Sequence, residues 1–161
     1  MFVGDKKSGF EWGKVQGTIA LPARLREAAH SAGTQAYLLA EDEGFCGDPV
    51  TWLPDDPWHL DAAALFPAEA VRALGFELAT KGDSQFRVYT THGTDPHIDG
   101  EGPCFILVLA NNGLKFKQGK HSHVTEAGEW FIFDDRVSHM VRETSRSTSY
   151  VFLHHALKEI G

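Results

Sequence analysis

The first half of the chain has apolar positions at helical spacing in two places. One predicted helix has Pro22 in its first turn and ends at Gly33, because proline suits a first turn and glycine follows many helix ends. The other lies between Asp61 and Gly75, with Pro67 beginning its second part. The apolar face of the first helix consists of Leu25, Ala28, Ala29 and Ala32. We expect both helices to pack against a sheet.

From about Phe76 onward the apolar period changes to two, which is typical of β-strands. The predicted strands are 85–89, 105–109, 113–117, 129–133 and 147–155. The run Asn111-Asn112-Gly113 predicts a hairpin turn, because asparagine and glycine accept the positive φ of tight turns. Short strands behind front helices predict a mainly β fold with N-terminal helices, an antiparallel sandwich or jelly roll.

Length, composition and charge narrow the class of protein. The 161 residues, 42% hydrophobic and 23% charged, are ordinary for a globular domain. We expect a single domain over 1–161, with helical support and first strands in 1–80 and the jelly-roll core in 81–157. The net charge of −7 argues against a nucleic-acid partner.

The sequence also predicts a soluble, cytoplasmic protein that makes no membrane contact. The longest apolar run, 105–110, is far shorter than the roughly 20 residues that span a bilayer. The N-terminus lacks the apolar core of a signal peptide. Cys46 and Cys104 share no CxxC spacing, and we expect both thiols to be reduced.

Three side chains form the strongest chemical signal. Only one residue separates His97 from Asp99, so on an extended chain both side chains lie on one face. Further along, an apolar strand and acidic turn residues lead to His139. Two histidines and one carboxylate leave positions open on an octahedral metal, which suits a non-haem Fe(II) that must hold a co-substrate and dioxygen. Zinc more often has a closed or nearly closed tetrahedron. We therefore predict that His97, Asp99 and His139 are metal ligands and the catalytic centre.

Beyond His139, the last predicted strand places Arg146 and Thr148 on one face. A guanidinium beside a hydroxyl can bind a carboxylate through parallel hydrogen bonds and a third from the side. With His97 and Asp99 upstream, this order of residues resembles the 2-oxoglutarate- and Fe(II)-dependent oxygenases. Their signature is His-x-Asp, a second histidine and then a basic residue on the next strand.

The resemblance covers roughly residues 84–156, less than half of the chain. It includes Phe86-Arg87-Val88-Tyr89, which is similar to the strand that carries a tyrosine to the co-substrate in prolyl-hydroxylase-like members. The resemblance implies a double-stranded β-helix, Fe(II), 2-oxoglutarate as co-substrate, and dioxygen. It also implies hydroxylation of a C–H bond in a protein side chain or a small molecule.

The resemblance further implies that Arg146 binds the distal carboxylate of 2-oxoglutarate, while Tyr89 or Thr148 adds a hydrogen bond. Arg146 follows His139 by seven residues, a shorter interval than is common in the family. In other branches a lysine from the strand after the His-x-Asp takes this role. Lys115 is therefore the second choice, with Lys117 beside it, and Arg142 is the third.

Two other functions remain open. The spacing of Gly128, His139 and Glu143 matches the second motif of the cupins, so a cupin dioxygenase or isomerase that uses no 2-oxoglutarate is the main rival. The other is a non-catalytic, ligand-binding jelly roll with structural histidines. The pair His121 and His123 is interpreted as a polar hairpin loop near the mouth of the cleft. The oligomeric state stays open.

Overall fold

The chain forms short helices followed by a long series of strands. A computed structural model describes residues 10–53, 58–82, 84–142 and 149–160. The helices are α1 Ala23–Asp42, α2 His59–Ala63 and α3 Ala68–Ala73. The strands are β1 Val15–Thr18, β2 Val50–Trp52, β3 Phe76–Leu78, β4 Arg87–Thr91, β5 Pro103–Asn111, β6 Lys115–Gln118, β7 His121–Val124, β8 Glu129–Asp134, β9 His139–Arg142 and β10 Tyr150–Glu159. None of the described helices combines the length and hydropathy that crossing a membrane requires.

Two antiparallel sheets make up the body of the fold. The larger has seven strands: six in the order β1-β8-β5-β10-β4-β2, with β3 paired to β10. The smaller has the order β7-β6-β9. The mainly β jelly roll expected from the sequence is therefore present, with the N-terminal helices outside it. The neighbouring strands β8, β5 and β10 form the centre of the large sheet.

Each face of the large sheet has its own apolar cluster. One cluster lies under α1 and includes Leu25 and Ala29 of that helix together with Leu107 and Leu153 of the sheet. The other lies on the opposite face. Its buried members are Cys104, Ile106, Val108, Leu114, Phe116, Phe131, Phe133 and Tyr150. Because side chains alternate along a strand, β5, β8 and β10 contribute to both clusters.

The first helix is longer than predicted. It continues past Gly33 to Asp42, so the predicted end at Gly33 was wrong. Glycine is required there for packing: a Cβ on Gly33 would lie 2.7 Å from Cγ2 of Val151 and 2.8 Å from Oγ of Ser149. The residue therefore marks a close approach between α1 and the strand β10. The second predicted helix is divided into α2 and α3, with Pro67 at the start of α3.

Two of the expected loops differ from the prediction. A turn does occur at 111–113, and Gly113 has a φ of +86°. It joins β5 of the large sheet to β6 of the small one, so it is a corner between sheets and not a hairpin. Residues 121–123, expected in a loop, belong to the strand β7, which pairs with β6. Local turn signals do not specify which strand becomes the neighbour.

Candidate metal centre

The three predicted ligands lie together although two separate segments supply them. His97 and Asp99 come from the loop between β4 and β5, and His139 is the first residue of β9. Oδ2 of Asp99 lies 3.5 Å from Nε2 of His97 and 3.3 Å from Nε2 of His139. The two imidazole rings are 4.4 Å apart between centroids. One ligand atom from each residue lies within 4.8 Å of the other two.

Backbone hydrogen bonds attach the loop to β9. His97 and His139 form an antiparallel bridge, with N···O distances of 3.0 and 3.1 Å. Beside it, the Thr94 amide donates to the Val141 carbonyl at 2.8 Å, and the Val141 amide donates to Oγ1 of Thr94 at 2.9 Å. The approach of the two histidines is therefore set by main-chain pairing.

The orientation of the rings suits a cation. Nδ1 of His97 lies 2.8 Å from the Asp95 carbonyl, and Nδ1 of His139 lies 2.9 Å from the Val137 carbonyl. A carbonyl oxygen only accepts, so each Nδ1 carries a proton, and Nε2 is the ring atom that faces the carboxylate of Asp99. A histidine that binds a metal normally donates its other nitrogen to a carbonyl in this way.

One side of this site is closed and the other is open. The His139 side chain is 6% exposed, and its ring lies 4.7 Å from that of Phe133 and 6.3 Å from that of Phe116. The side chains of His97 and Asp99 are 37% and 53% exposed. The donor set of two imidazoles and one carboxylate, with an open side, fits a divalent metal ion that keeps positions for other ligands.

A cavity of about 720 Å³ adjoins the three residues. Its apolar and aromatic walls include Ile106, Phe116, Phe131, Phe133, Val141, Tyr150 and Phe152. The acidic residues among those that line it are Asp48, Asp95, Asp99, Glu101 and Asp135. None of the described residues that line it is a lysine or an arginine. The size is ordinary for a small-molecule or side-chain site.

Comparison with known proteins supports the fold. No protein-family profile matches the chain, and no curated protein matches its sequence. A Pseudomonas putida prolyl-4-hydroxylase is 18% identical, with a TM-score of 0.52 over 99% of this chain and 98% of its own. EvdMO1 is 13% identical, with a TM-score of 0.52 over 90% of this chain and 46% of its own. The nickel complex of the non-heme monooxygenase ThoJ is 15% identical, with a TM-score of 0.48 over 91% of this chain and 76% of its own.

The chain has the double-stranded β-helix fold. The prolyl-4-hydroxylase and EvdMO1 share it at identities that show a common architecture and nothing finer. The likeness to the hydroxylase extends over nearly the full length of both chains, helices included.

The predicted co-substrate residues have different outcomes. Tyr89 lines the cavity, stacked on Phe152 at 5.7 Å and edge-on to His154 at 5.6 Å. Its role as a co-substrate ligand stays a prediction. Arg146 and Thr148 lie outside the described residues, as does Glu143 of the cupin motif.

The alternative cations do not reach the cavity in the described part of the chain. Phe116 lines the cavity from β6, and Lys115 and Lys117 flank it on that strand. Neighbouring side chains on a strand point to opposite faces, so both lysines extend away from the site. Arg142, at the end of β9 opposite Lys115, is also absent from the lining.

The histidines of β7 belong to another part of the molecule. Nε2 of His121 lies 3.1 Å from Oε1 of Glu11, which also pairs with Lys120 at 2.7 Å. The ring of His123 packs edge-on to Phe131, and burial lowers the pKa of His123. Neither histidine is among the residues that line the cavity.

Sequence reasoning missed three polar residues around the site. His154 lines the cavity from the middle of β10, and burial, with smaller effects of His155 and Arg87, lowers its pKa to about 4. Gln118 and Asp135 are buried and bond to the turns beside the ligands. Of these three, only His154 could have been found from the sequence. Side chains alternate along the predicted strand 147–155, and this alternation places His154 on the same face as Phe152.

Proposed function

We propose that this chain is a mononuclear non-haem iron oxygenase whose Fe(II) is held by His97, Asp99 and His139. The observation that carries the proposal is the convergence of two Nε2 atoms on the Asp99 carboxylate, at 3.5 and 3.3 Å. Each Nδ1 donates to a main-chain carbonyl, which orients the rings as ligands. Bound iron would supply the activation of dioxygen for attack on a C–H bond.

The protein residues around this centre would contribute orientation and exclusion of water. Phe133 and Phe116 cover the buried side of His139, and among the described residues the exposed side of the site is that of His97 and Asp99. A substrate in the adjoining cavity would lie against aromatic walls, with its reactive carbon held near the open side of the centre. The proposed substrate of the enzyme is a protein side chain or a small molecule.

For the co-substrate we propose 2-oxoglutarate, with its distal carboxylate bound by Arg146 and a hydrogen bond from Tyr89 or Thr148. The order of His97, Asp99 and the later basic residue supports this assignment. So does the fold shared with a prolyl-4-hydroxylase. A guanidinium provides the planar pair of donors that a carboxylate accepts.

An anaerobic titration tests both parts of the proposal. The Fe(II)-loaded protein is titrated with 2-oxoglutarate while the weak visible charge-transfer band of a metal-chelated keto acid is recorded. A saturating band supports the proposal. If iron binds and no band appears, 2-oxoglutarate is not the co-substrate. If iron does not bind, the oxygenase proposal is wrong and a ligand-binding jelly roll is the remaining interpretation.

Substitution of Arg146 by alanine tests the anchor of the distal carboxylate. If a charge-assisted pair worth about 3 kcal/mol is lost, the concentration of 2-oxoglutarate at half-saturation rises by roughly two orders of magnitude. Lys115→Ala is the matched control and should leave it unchanged, since Lys115 does not line the cavity. If the half-saturating concentration of 2-oxoglutarate is unchanged in Arg146→Ala and raised in Lys115→Ala, Lys115 and not Arg146 binds the distal carboxylate.

A second candidate is a metal oxygenase of the cupin type that uses no 2-oxoglutarate. The charge of the cavity favours it: five carboxylates and no lysine or arginine occur among its described lining residues. Because no lysine or arginine is among the described lining residues, the positive charge for a dianionic co-substrate would have to come from outside them, as proposed for Arg146. The same titration separates the two candidates, since only the first produces the band.

A further inference from the structure

The carboxylate of Asp135 is directed at the loop that carries Asp99. It is 2% exposed and lies one residue beyond β8. Its Oδ1 accepts the Gly102 amide at 2.5 Å, and its Oδ2 lies 3.5 Å from the Cys104 thiol. Burial, and then the charge and hydrogen bond of Asp135, raise the pKa of Cys104, so the thiol stays protonated and can donate.

The main chain of the same residue binds the same loop. The Asp135 carbonyl accepts the amides of Asp99 at 2.8 Å and Gly100 at 3.2 Å, while its own amide donates to the Gly102 carbonyl at 3.0 Å. One residue thus holds the loop at Asp99 itself, at Gly100 and at Gly102. Gly102 has a φ of +118°, a conformation that favours glycine and turns its amide toward the carboxylate.

The neighbouring aspartate provides a direct contrast. Asp134 is also buried, but its carboxylate binds Arg136, with Oδ1 2.9 Å from Nε and Oδ2 3.1 Å from Nη2. Its side chain therefore serves the turn toward His139 and makes no hydrogen bond to the Asp99 loop in the described residues. Arg136 is occupied by this pair, and the carboxylate of Asp135 receives its hydrogen bonds from the loop.

We propose that Asp135 is a positioning residue that holds the Asp99 carboxylate in place for the metal. Asp99 is 53% exposed and has little packing of its own, so its position depends on the backbone on either side. The His97 bridge fixes the loop before Asp99, and Asp135 fixes it at Asp99 and after. This inference rests on the proposed metal site, and it adds a residue that does not touch the metal.

Co(II) affinity, measured by competition with a chelator, and the position of the Co(II) d–d bands test the inference without turnover. Asp135→Ala should weaken binding 10- to 100-fold, the usual range for a partner of a metal ligand. Asp135→Glu keeps the charge but displaces the acceptor, and we expect about tenfold weaker binding. Asp135→Asn keeps an acceptor for Gly102 and should stay within about threefold of the unmodified protein. Asp134→Ala is the matched control.

The pattern of the variants decides between geometry and charge. If Asp135→Asn binds as weakly as Asp135→Ala while Asp135→Glu binds normally, charge alone acts and the positioning role is wrong. Equal affinity in Asp135→Ala and Asp134→Ala also overturns it. If Asp135→Ala does not fold, the Glu and Asn variants carry the same comparison. Failure of the unmodified protein to bind Co(II), by contrast, contradicts the proposed function itself.

Discussion

The two faces of the seven-stranded sheet come from the same strands but serve different ends. Under α1, residues such as Phe105 and Leu107 are fully buried in a closed apolar cluster. On the opposite face, Ile106, Phe152 and His154 line a cavity beside the candidate metal centre. Adjacent residues of one strand thus belong to the core and to the site.

This difference shows how a small domain supports an open cavity. The closed face supplies the burial that holds the strands in register, because each fully buried apolar side chain contributes about 1.5–3 kcal/mol. The open face is then free to carry polar groups such as His154 and an unfilled space. A change on the closed face should act mainly on stability, and a change on the open face mainly on binding.

The largest effect is expected from His139→Ala, which changes the wall of the cavity supplied by β9 of the small sheet. It removes a ligand of the proposed site, so Fe(II) or Co(II) binding and turnover should be lost while the far-UV circular dichroism is kept. His121→Ala is a suitable control, since His121 contacts Glu11 outside the cavity. If the two variants bind the metal with equal affinity, His139 is not a ligand of the metal.

A pair of adjacent core substitutions tests the contrast between the faces directly. Leu107→Ala on the closed face should lower the free energy of unfolding by about 4 kcal/mol, and Ile106→Ala on the cavity face by about 2 kcal/mol. The second is smaller because its vacated volume joins an existing cavity. Urea unfolding measures both, and equal losses would contradict the distinction.

The pH dependence of stability should report His154. Its pKa is about 4 in the folded protein, against 6.5 ordinarily, chiefly because of burial. As the pH falls, His154 is therefore protonated at a higher pH in the unfolded chain than in the folded protein. The free energy of unfolding consequently decreases between about pH 6.5 and about pH 4, by up to about 3 kcal/mol. His154→Phe should remove this part of the slope between pH 6.5 and 5. If the variant kept the slope of the unmodified protein, folding would not lower the pKa of His154.

The smallest effect is expected at a polar residue that joins the small sheet to the turn before His139. Nε2 of Gln118 donates to the carbonyls of Asp134 at 2.7 Å and Val137 at 3.2 Å, and Oε1 accepts the Asp134 amide at 3.0 Å. Gln118→Met removes one hydrogen bond from each of these three backbone groups and should cost about 1–3 kcal/mol of unfolding free energy.

A matched control for this change is Gln16→Met. The side chain of Gln16 bonds the Lys14 carbonyl of its own segment at 3.3 Å and joins no turn to a sheet. Its replacement should leave the free energy of unfolding nearly unchanged. If Gln118→Met is equally mild, the hydrogen bonds of Gln118 contribute little to the turn.

Short-range sequence patterns predicted several of the strands and the three residues of the candidate metal site. The period of two predicted the strands β4, β5, β6, β8 and β10, because alternation is a local property of a chain with one buried face. The same parity explains why Phe116 faces the cavity while Lys115 and Lys117 do not. The grouping of His97, Asp99 and His139 followed from residue type and spacing, and the structure brings these three side chains together.

Long-range packing decided the rest. Helix α1 continues through Gly33 because β10 lies against it, which no local signal reveals. The turn at 111–113 connects two sheets because β5 pairs with β8 and β10, strands distant in sequence. The hydrogen bonds of Asp135 to Gly102 likewise span 33 residues. The sequence alone determines which face each strand side chain takes, whereas the partner that each face meets depends on contacts that form only when the whole chain has folded.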